Sequence, residues 1–173
     1  RRSILTEKVA RRGLHLTREY SIDPLEMIRV GDVMDRHPDV ITPTTTLREF
    51  ADLFMVGKKA PRHQAFVVVD ANENIQGIVT KSAAMSHLLS QDVDENTPIL
   101  EVCTRDLIVA YVDELLSQAT NKMLKHGIGR LPVVRRDDPE KLVGYLGRAQ
   151  IVEARQQILN EEHVRERGWL LSR

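Results

Sequence analysis

Short apolar runs alternate with amphipathic stretches along this chain, and most of them occur twice. In the first half, Thr46 followed by Glu49 has capping-box spacing, in which the hydroxyl accepts from a first-turn amide and the carboxylate reaches back. This predicts a helix from Leu47, with Leu47, Phe50, Ala51 and Phe54 on one buried face. Phe66-Val67-Val68-Val69 follows as a β-branched run, then the turn-forming Asp70-Ala71-Asn72-Glu73-Asn74, then Gly77-Ile78-Val79-Thr80. Lys81 to Leu89 reads as a closing helix. The second half has the same order. Asp113 heads a helix that buries Leu115, Ala119 and Met123 and ends at Gly127-Ile128-Gly129. Strands are predicted at Leu131-Pro132-Val133-Val134 and Gly144-Tyr145-Leu146-Gly147, around the turn Arg136-Asp137-Asp138-Pro139. A last helix runs from Arg148 to about Asn160, with Glu, Arg and Gln on its wet face.

The leading segments align as well. Val30-Gly31-Asp32-Val33-Met34-Asp35-Arg36 matches Ile99-Leu100-Glu101-Val102-Cys103-Thr104-Arg105. With His37 and Pro38 treated as an insertion, Asp39-Val40-Ile41-Thr42 then matches Asp106-Leu107-Ile108-Val109. One unit of roughly 60 residues has been used twice. A domain of that size hides only about 60% of its unfolded surface, so the copies are expected to pack sheet to sheet and share their burial. The join, Ser90 to Asn96, is short and acidic and leaves little freedom for separation. The expected fold class is therefore α/β (α+β): two repeats, each a small sheet with flanking helices, related by pseudo-twofold symmetry. The expected organisation is a leader at 1–29, a first repeat at 30–94, a second at 95–159 and a tail at 160–173.

Composition narrows the function. Lys and Arg number 25 and Asp and Glu 25, so the chain has no basic excess to wrap phosphate, and nucleic acid is not an expected partner. Cys103 is the only cysteine, which excludes an internal disulfide or a Cys-based zinc site and fits a reducing compartment. No stretch reaches the ~18 apolar residues of a membrane-spanning helix, and Arg1-Arg2-Ser3-Ile4 lacks the apolar run of a signal peptide. The opening without methionine suggests a segment of something longer. His15, His37, His63, His87, His126 and His163 are scattered, with no close ligand pair, so no metal site is expected. Cys103, matching Met34 in the repeat, reads as a small core residue, and no adjacent carboxylates have a reason for a raised pKa. No catalytic residues are expected.

The two copies together resemble a tandem CBS-domain pair, also called a Bateman module, over about Val30 to Gln157. The resemblance is carried by Val33-Met34, Val40-Ile41-Thr42, Phe66-Val67-Val68-Val69-Asp70 and Gly77-Ile78-Val79-Thr80, and by Arg130-Leu131-Pro132-Val133-Val134 with Gly144-Tyr145-Leu146. It implies two clefts between the sheets and a sensing role that often involves adenosine nucleotides. The leader Ser3 to His15, the Pro24 stretch and His63-Gln64-Ala65-Phe66 look like the region that follows the last membrane helix in bacterial chloride channels of the ClC family. That likeness implies a membrane-embedded transporter domain in the same chain and a position on the cytoplasmic face of the cell membrane. The basic cluster Arg1, Arg2, Lys8, Arg11 and Arg12 fits such a place, and fits a solvated helix face equally.

In nucleotide-binding copies of this family, the strand beginning with Gly continues to a Thr or Ser that meets phosphate, and an Asp three residues later accepts from the ribose. Thr80 fits the first role, but Ala83 stands at the second; the other copy has Gly147 and Gln150. Each missing charge-assisted hydrogen bond forfeits ~1.5 to 3 kcal/mol, so ATP, ADP and AMP are expected to bind no more tightly than about 100 µM. Thr42, Thr80, Lys81, Arg130 and Arg148 remain candidates for an anion or nucleotide, with Tyr111 placed to stack on a base and Gln150 able to make one hydrogen bond. Thr80 as a plain helix cap is the competing reading. The expected function is regulation of a chloride channel or chloride/proton exchanger by a homodimeric module. A soluble adenosine-nucleotide sensor and the regulatory half of an enzyme remain open beside it. Met85, Leu88, Leu89, Ile151 and Ile158 are the apolar residues expected to serve dimerisation or core.

Overall fold

In a computed structural model, which describes residues 23–55, 64–90 and 94–170, the duplicated pattern becomes two three-stranded sheets. A 3-10 turn, Pro24–Glu26, is capped by the Asp23 carboxylate, which accepts from the Leu25 amide at 3.1 Å. The first copy continues with α1 (Val30–Val33), β1 (Val40–Ile41), α2 (Leu47–Met55), β2 (Ala65–Val69), β3 (Ile75–Thr80) and α3 (Lys81–Leu89). The second has α4 (Ile99–Val102), β4 (Ala110–Tyr111), α5 (Leu116–His126), β5 (Arg130–Val134), β6 (Leu142–Gly147) and α6 (Arg148–Leu170). In each sheet the short first strand runs parallel to the second, and the second is antiparallel to the third. The α/β class and the paired repeats are as the pattern predicts.

Local chemistry explains most boundaries. Glu49 donates its amide to the Thr46 hydroxyl at 3.1 Å while Thr46 donates its own to the Glu49 carboxylate at 2.8 Å, so the capping box forms and α2 starts at Leu47. The second copy departs from the expectation. Asp113 is drawn off by Arg136 at 2.8 Å, and the helix is capped instead at Leu115, whose amide donates to Gln118 at 3.1 Å. The buried stripe is consequently Leu116, Ala119 and Met123, with Leu115 only half-buried. Gly127 closes α5 with φ 64°, a left-handed conformation in which a side chain would be strained. α6 continues past Asn160 to Leu170, with no proline to stop it. The leader helix expected at Ser3 to Gly13 lies outside the described residues.

The repeat register also differs from the sequence alignment. Isolated backbone bridges join Arg29 to Leu115 and Thr46 to Pro98, and Asp35 to Tyr145 and Ile78 to Thr104, as two symmetric sets. Met34 is separated from Thr46 by as many residues as Cys103 from Leu115, so His37 and Pro38 are not an insertion. Val40 therefore corresponds to Val109, and Thr42 to Tyr111.

These bridges come from an exchange. Leu25, Val30 and Met34 precede the first sheet but are buried among Leu116, Ala119, Leu131, Val133, Leu146 and Ala154 of the second copy. Ile99 precedes the second sheet but is buried with Ile41, Leu47, Phe50, Phe66, Val68 and Val79 of the first. Each core is completed by the other copy's leading helix, and neither copy closes alone. Close approach occurs at three glycines: a β-carbon on Gly144 would lie 2.6 Å from the Met34 sulfur, one on Gly31 2.6 Å from the Val112 side chain, and one on Gly77 would strike Cys103. Cys103 is half-buried against the first core, and burial pushes its thiol pKa up, in keeping with a packing role. Phe50, Phe54 and Phe66 pack edge to face in the first core, with centroids 5.1 to 5.8 Å apart.

Candidate ligand-binding clefts

The ends of β3 and β6 open onto the two clefts. Ile78 and Thr104 exchange backbone hydrogen bonds at 2.9 Å in both directions, which carries the segment after α4 to the end of β3. The space between that segment, β3 and the start of β5 is a cleft of about 300 Å³. Its polar lining is Thr80, Ser82, Thr104, Asp106 and Arg130; Ile78, Leu107, Ile108, Ile128 and Pro132 supply apolar wall. A second cleft of about 410 Å³, at the end of β6, is lined by Gln64, Tyr145, Gly147, Arg148, Ala149 and Gln150, and shares Gly127, Gly129 and Arg130 with the first.

Four of the seven candidate residues are thus at clefts: Thr80 and Arg130 at the first, Arg130, Arg148 and Gln150 at the second. The other three are engaged elsewhere. The Thr42 hydroxyl is hydrogen-bonded to that of Thr45 at 2.8 Å. Lys81 places its ammonium 4.8 Å from the Phe54 ring centroid. Tyr111 holds Arg136 at 4.3 Å and Lys122 at 5.1 Å from its own centroid, so its ring serves cations of its own copy.

Thr80 and Gln150 divide one motif between the copies. The Thr80 hydroxyl accepts from the Ala83 amide at 3.1 Å and caps α3, as expected, and its proton can still serve Ser82 or a ligand. In the second copy the hydroxyl position is Gly147, and Gln150 reaches back to accept from the Gly147 amide at 2.8 Å. Each copy keeps the half of a capping box that the other lacks.

Asp106 is not among the residues that sequence motifs single out. It belongs to the second copy in sequence but lines the same cleft as Thr80 of the first, because the α4 segment is exchanged. No spacing within either repeat signals that placing. Burial raises the Tyr145 pKa at the second cleft, and the nearby Arg130 charge acts in the opposite direction. Among the described residues, no three His, Cys, Asp or Glu side chains converge to hold a metal ion. No described helix is long and apolar enough to cross a membrane.

An α/β unit used twice, with exchanged leading helices and clefts at the strand ends, defines a paired binding module. The sequence profile of the CBS domain matches residues 30–90 and 93–157, and the chain belongs to the CBS-domain family as a tandem pair, a regulatory binding module. Among curated proteins it is similar to an uncharacterized protein of Methanocaldococcus jannaschii, with 31% identity over 133 residues, 76% of this chain and 41% of that protein. It is also similar to chloride channel protein CLC-f of Arabidopsis thaliana, with 31% identity over 127 residues, 66% of this chain and 16% of the channel. The chain spans less than half the length of either relative. The crystal structure of CBSX2 in complex with AMP is similar at 26% identity and a TM-score of 0.63, covering 75% of this chain and 97% of that one.

Proposed function

We propose that this pair is the regulatory module of a larger protein and senses an adenosine nucleotide in the first cleft. The observation that carries the reading is that Thr80, Asp106 and Arg130 line one cleft together with an apolar wall. Arg130 and Thr80 are suited to phosphate, the first by charge and the second by its remaining proton. Asp106 is suited to the ribose hydroxyls, the role for which Ala83 has no acceptor. Leu107, Ile108 and Ile128 offer apolar surface to a base. The AMP complex of CBSX2 supports the ligand class.

Asp106 changes the expected affinity. One charged acceptor restores about one to two decades, moving the tightest affinity expected for AMP from ~100 µM to about 1 to 10 µM. Calorimetric titration with AMP tests this. Asp106→Ala and Arg130→Gln should each weaken binding about tenfold or more; no heat up to about 1 mM AMP, or affinity unchanged in both variants, overturns the reading.

For the regulated partner, the reading is a ClC-type chloride channel or exchanger, with the pair as a homodimer on the cytoplasmic face of the membrane. The leader sequence and the similarity to CLC-f support it. The dimer surface would use exposed Leu89, Val152 and Leu159, since Leu88 and Ile151 pack against the cores. A ligand would act only through its differential affinity for two packings of the pair. The soluble sensor remains the second reading, and the AMP complex favours it equally. Sequencing the gene upstream of the Arg1 codon separates them: ten or more long apolar segments in frame support the transporter, and a nearby start codon overturns it.

A further inference from the structure

The pseudo-twofold axis would be expected to make two equivalent, independent clefts. It fails at the residue that opens the second strand of each sheet. Ala65 pairs with Thr80 in one copy, and Arg130 pairs with Gly147 in the other. Ala65 is fully buried and apolar, whereas Arg130 lines both clefts. The module therefore has one strand-leading cation where symmetry would place two.

Of the neighbouring cations, Arg148 lines the second cleft beside the shared Arg130, and Lys81 lines neither cleft. Lys81, at the head of α3, is held over Phe54. Arg148, its counterpart at the head of α6, lies over Gly129, where a β-carbon would come within 2.8 Å of its Nε. Gly129 is itself wall common to both clefts, so Arg148 sits against the partition they share.

We propose that Arg130 couples the two clefts antagonistically, so that an anionic ligand in one lowers the affinity of the other for a second anion, while an uncharged ligand fills both. This rests on the reading of the first cleft as a nucleotide site. A phosphate that engages the Arg130 guanidinium occupies part of its donor set and offsets the charge that would attract a second anion to the other cleft. Two anions drawn to the same guanidinium also repel one another. Because coupling between sites is reciprocal, either cleft filled first weakens the other by the same factor.

The test is an amide NMR titration of the whole chain with AMP and, separately, with adenosine. Ser82 and Thr104 report the first cleft, and Ala149 and Gln150 the second. Adenosine is expected to shift both sets over one concentration range. AMP is expected to shift one set at least tenfold below the concentration that shifts the other. In Arg130→Gln the two sets should respond to AMP together, at higher concentration, with the thermal transition confirming that the variant is folded. The exposed Arg135→Gln should leave the wild-type pattern intact. The proposal is overturned if AMP shifts both sets together in the wild type, or if adenosine separates them as AMP does. Failure of AMP and adenosine to shift either set overturns the nucleotide reading as a whole, whereas the other failures leave that reading standing.

Discussion

The ammonium of Lys122 stands 2.6 Å from Oε2 of Glu114, the one buried charged residue among those described. The same oxygen accepts from the Tyr111 amide at 3.1 Å, and Lys122 also donates to the Val109 carbonyl at 3.0 Å. Glu114 Oε1 is buried with no hydrogen-bond partner among the described residues. This pair fixes the turn between β4 and α5, and that turn receives the exchanged segment: Val30 and Gly31 donate their amides to the Glu114 and Val112 carbonyls, each at 2.9 Å. Lys122→Met should leave an uncompensated buried carboxylate and lower stability by about 3 kcal/mol, or about 6 to 12 °C in the thermal midpoint. Adding Glu114→Gln should recover part of that loss. A double variant no more stable than Lys122→Met would show that the buried charge is not the cause.

Gly144→Ala should cost about 1 to 3 kcal/mol, because its β-carbon meets the Met34 sulfur at 2.6 Å and the Asp35 carbonyl oxygen at 3.0 Å. The carbonyl is fixed by the Asp35 to Tyr145 bridge. Gly77→Ala should behave alike, since the new β-carbon would stand 3.0 Å from the Thr104 carbonyl oxygen. Denaturant midpoints that remain at the wild-type value in both variants would contradict the exchanged packing.

Thr80→Ala removes the α3 cap and should cost about 1 kcal/mol, whereas Thr80→Ser keeps the hydroxyl and should cost little. The same pair separates capping from ligand binding. If AMP affinity falls in the Ala variant and survives in the Ser variant, the hydroxyl serves both; if it is unchanged in both, Thr80 is a cap alone.

Asp70 is a source of acid sensitivity. Its carboxylate accepts from the Asn74 amide at 2.9 Å and the Asn72 amide at 2.8 Å, and these bonds, Asn74 first, hold its pKa below the usual carboxylate value. A depressed folded pKa contributes stability that is complete above the unfolded value of about 3.9 and is lost as pH falls through the folded one. Thermal midpoints measured between pH 6 and pH 2.5 should therefore converge for wild type and Asp70→Asn at the acid end. A gap that stays constant over that range would remove Asp70 from the acid response.

Periodicity and turn chemistry make the elements legible. Thr46 with Glu49, the β-branched runs around Val67 and Val133, and Gly127 at the end of α5 are local signals, and the backbone answers to local hydrogen bonding and steric limits. Duplication is legible for the same reason, since the two copies repeat those signals in order. The start of α5 departs from its local signal because Arg136, distant in sequence, draws Asp113 away from the capping role. At the clefts, Thr80 and Arg130 stand in family motifs, whereas Asp106 has no local signal at all.

What the chain determined by itself was therefore the inventory: two α/β copies, their strands, and the loss of the usual acceptor at Ala83. The tertiary structure alone decided the exchange of leading helices, the placing of Asp106 and Thr80 on one cleft, and the sharing of Arg130 between two clefts. Those outcomes depend on which apolar face buries which, and neither copy can close its core without Val30 or Ile99 arriving from the other.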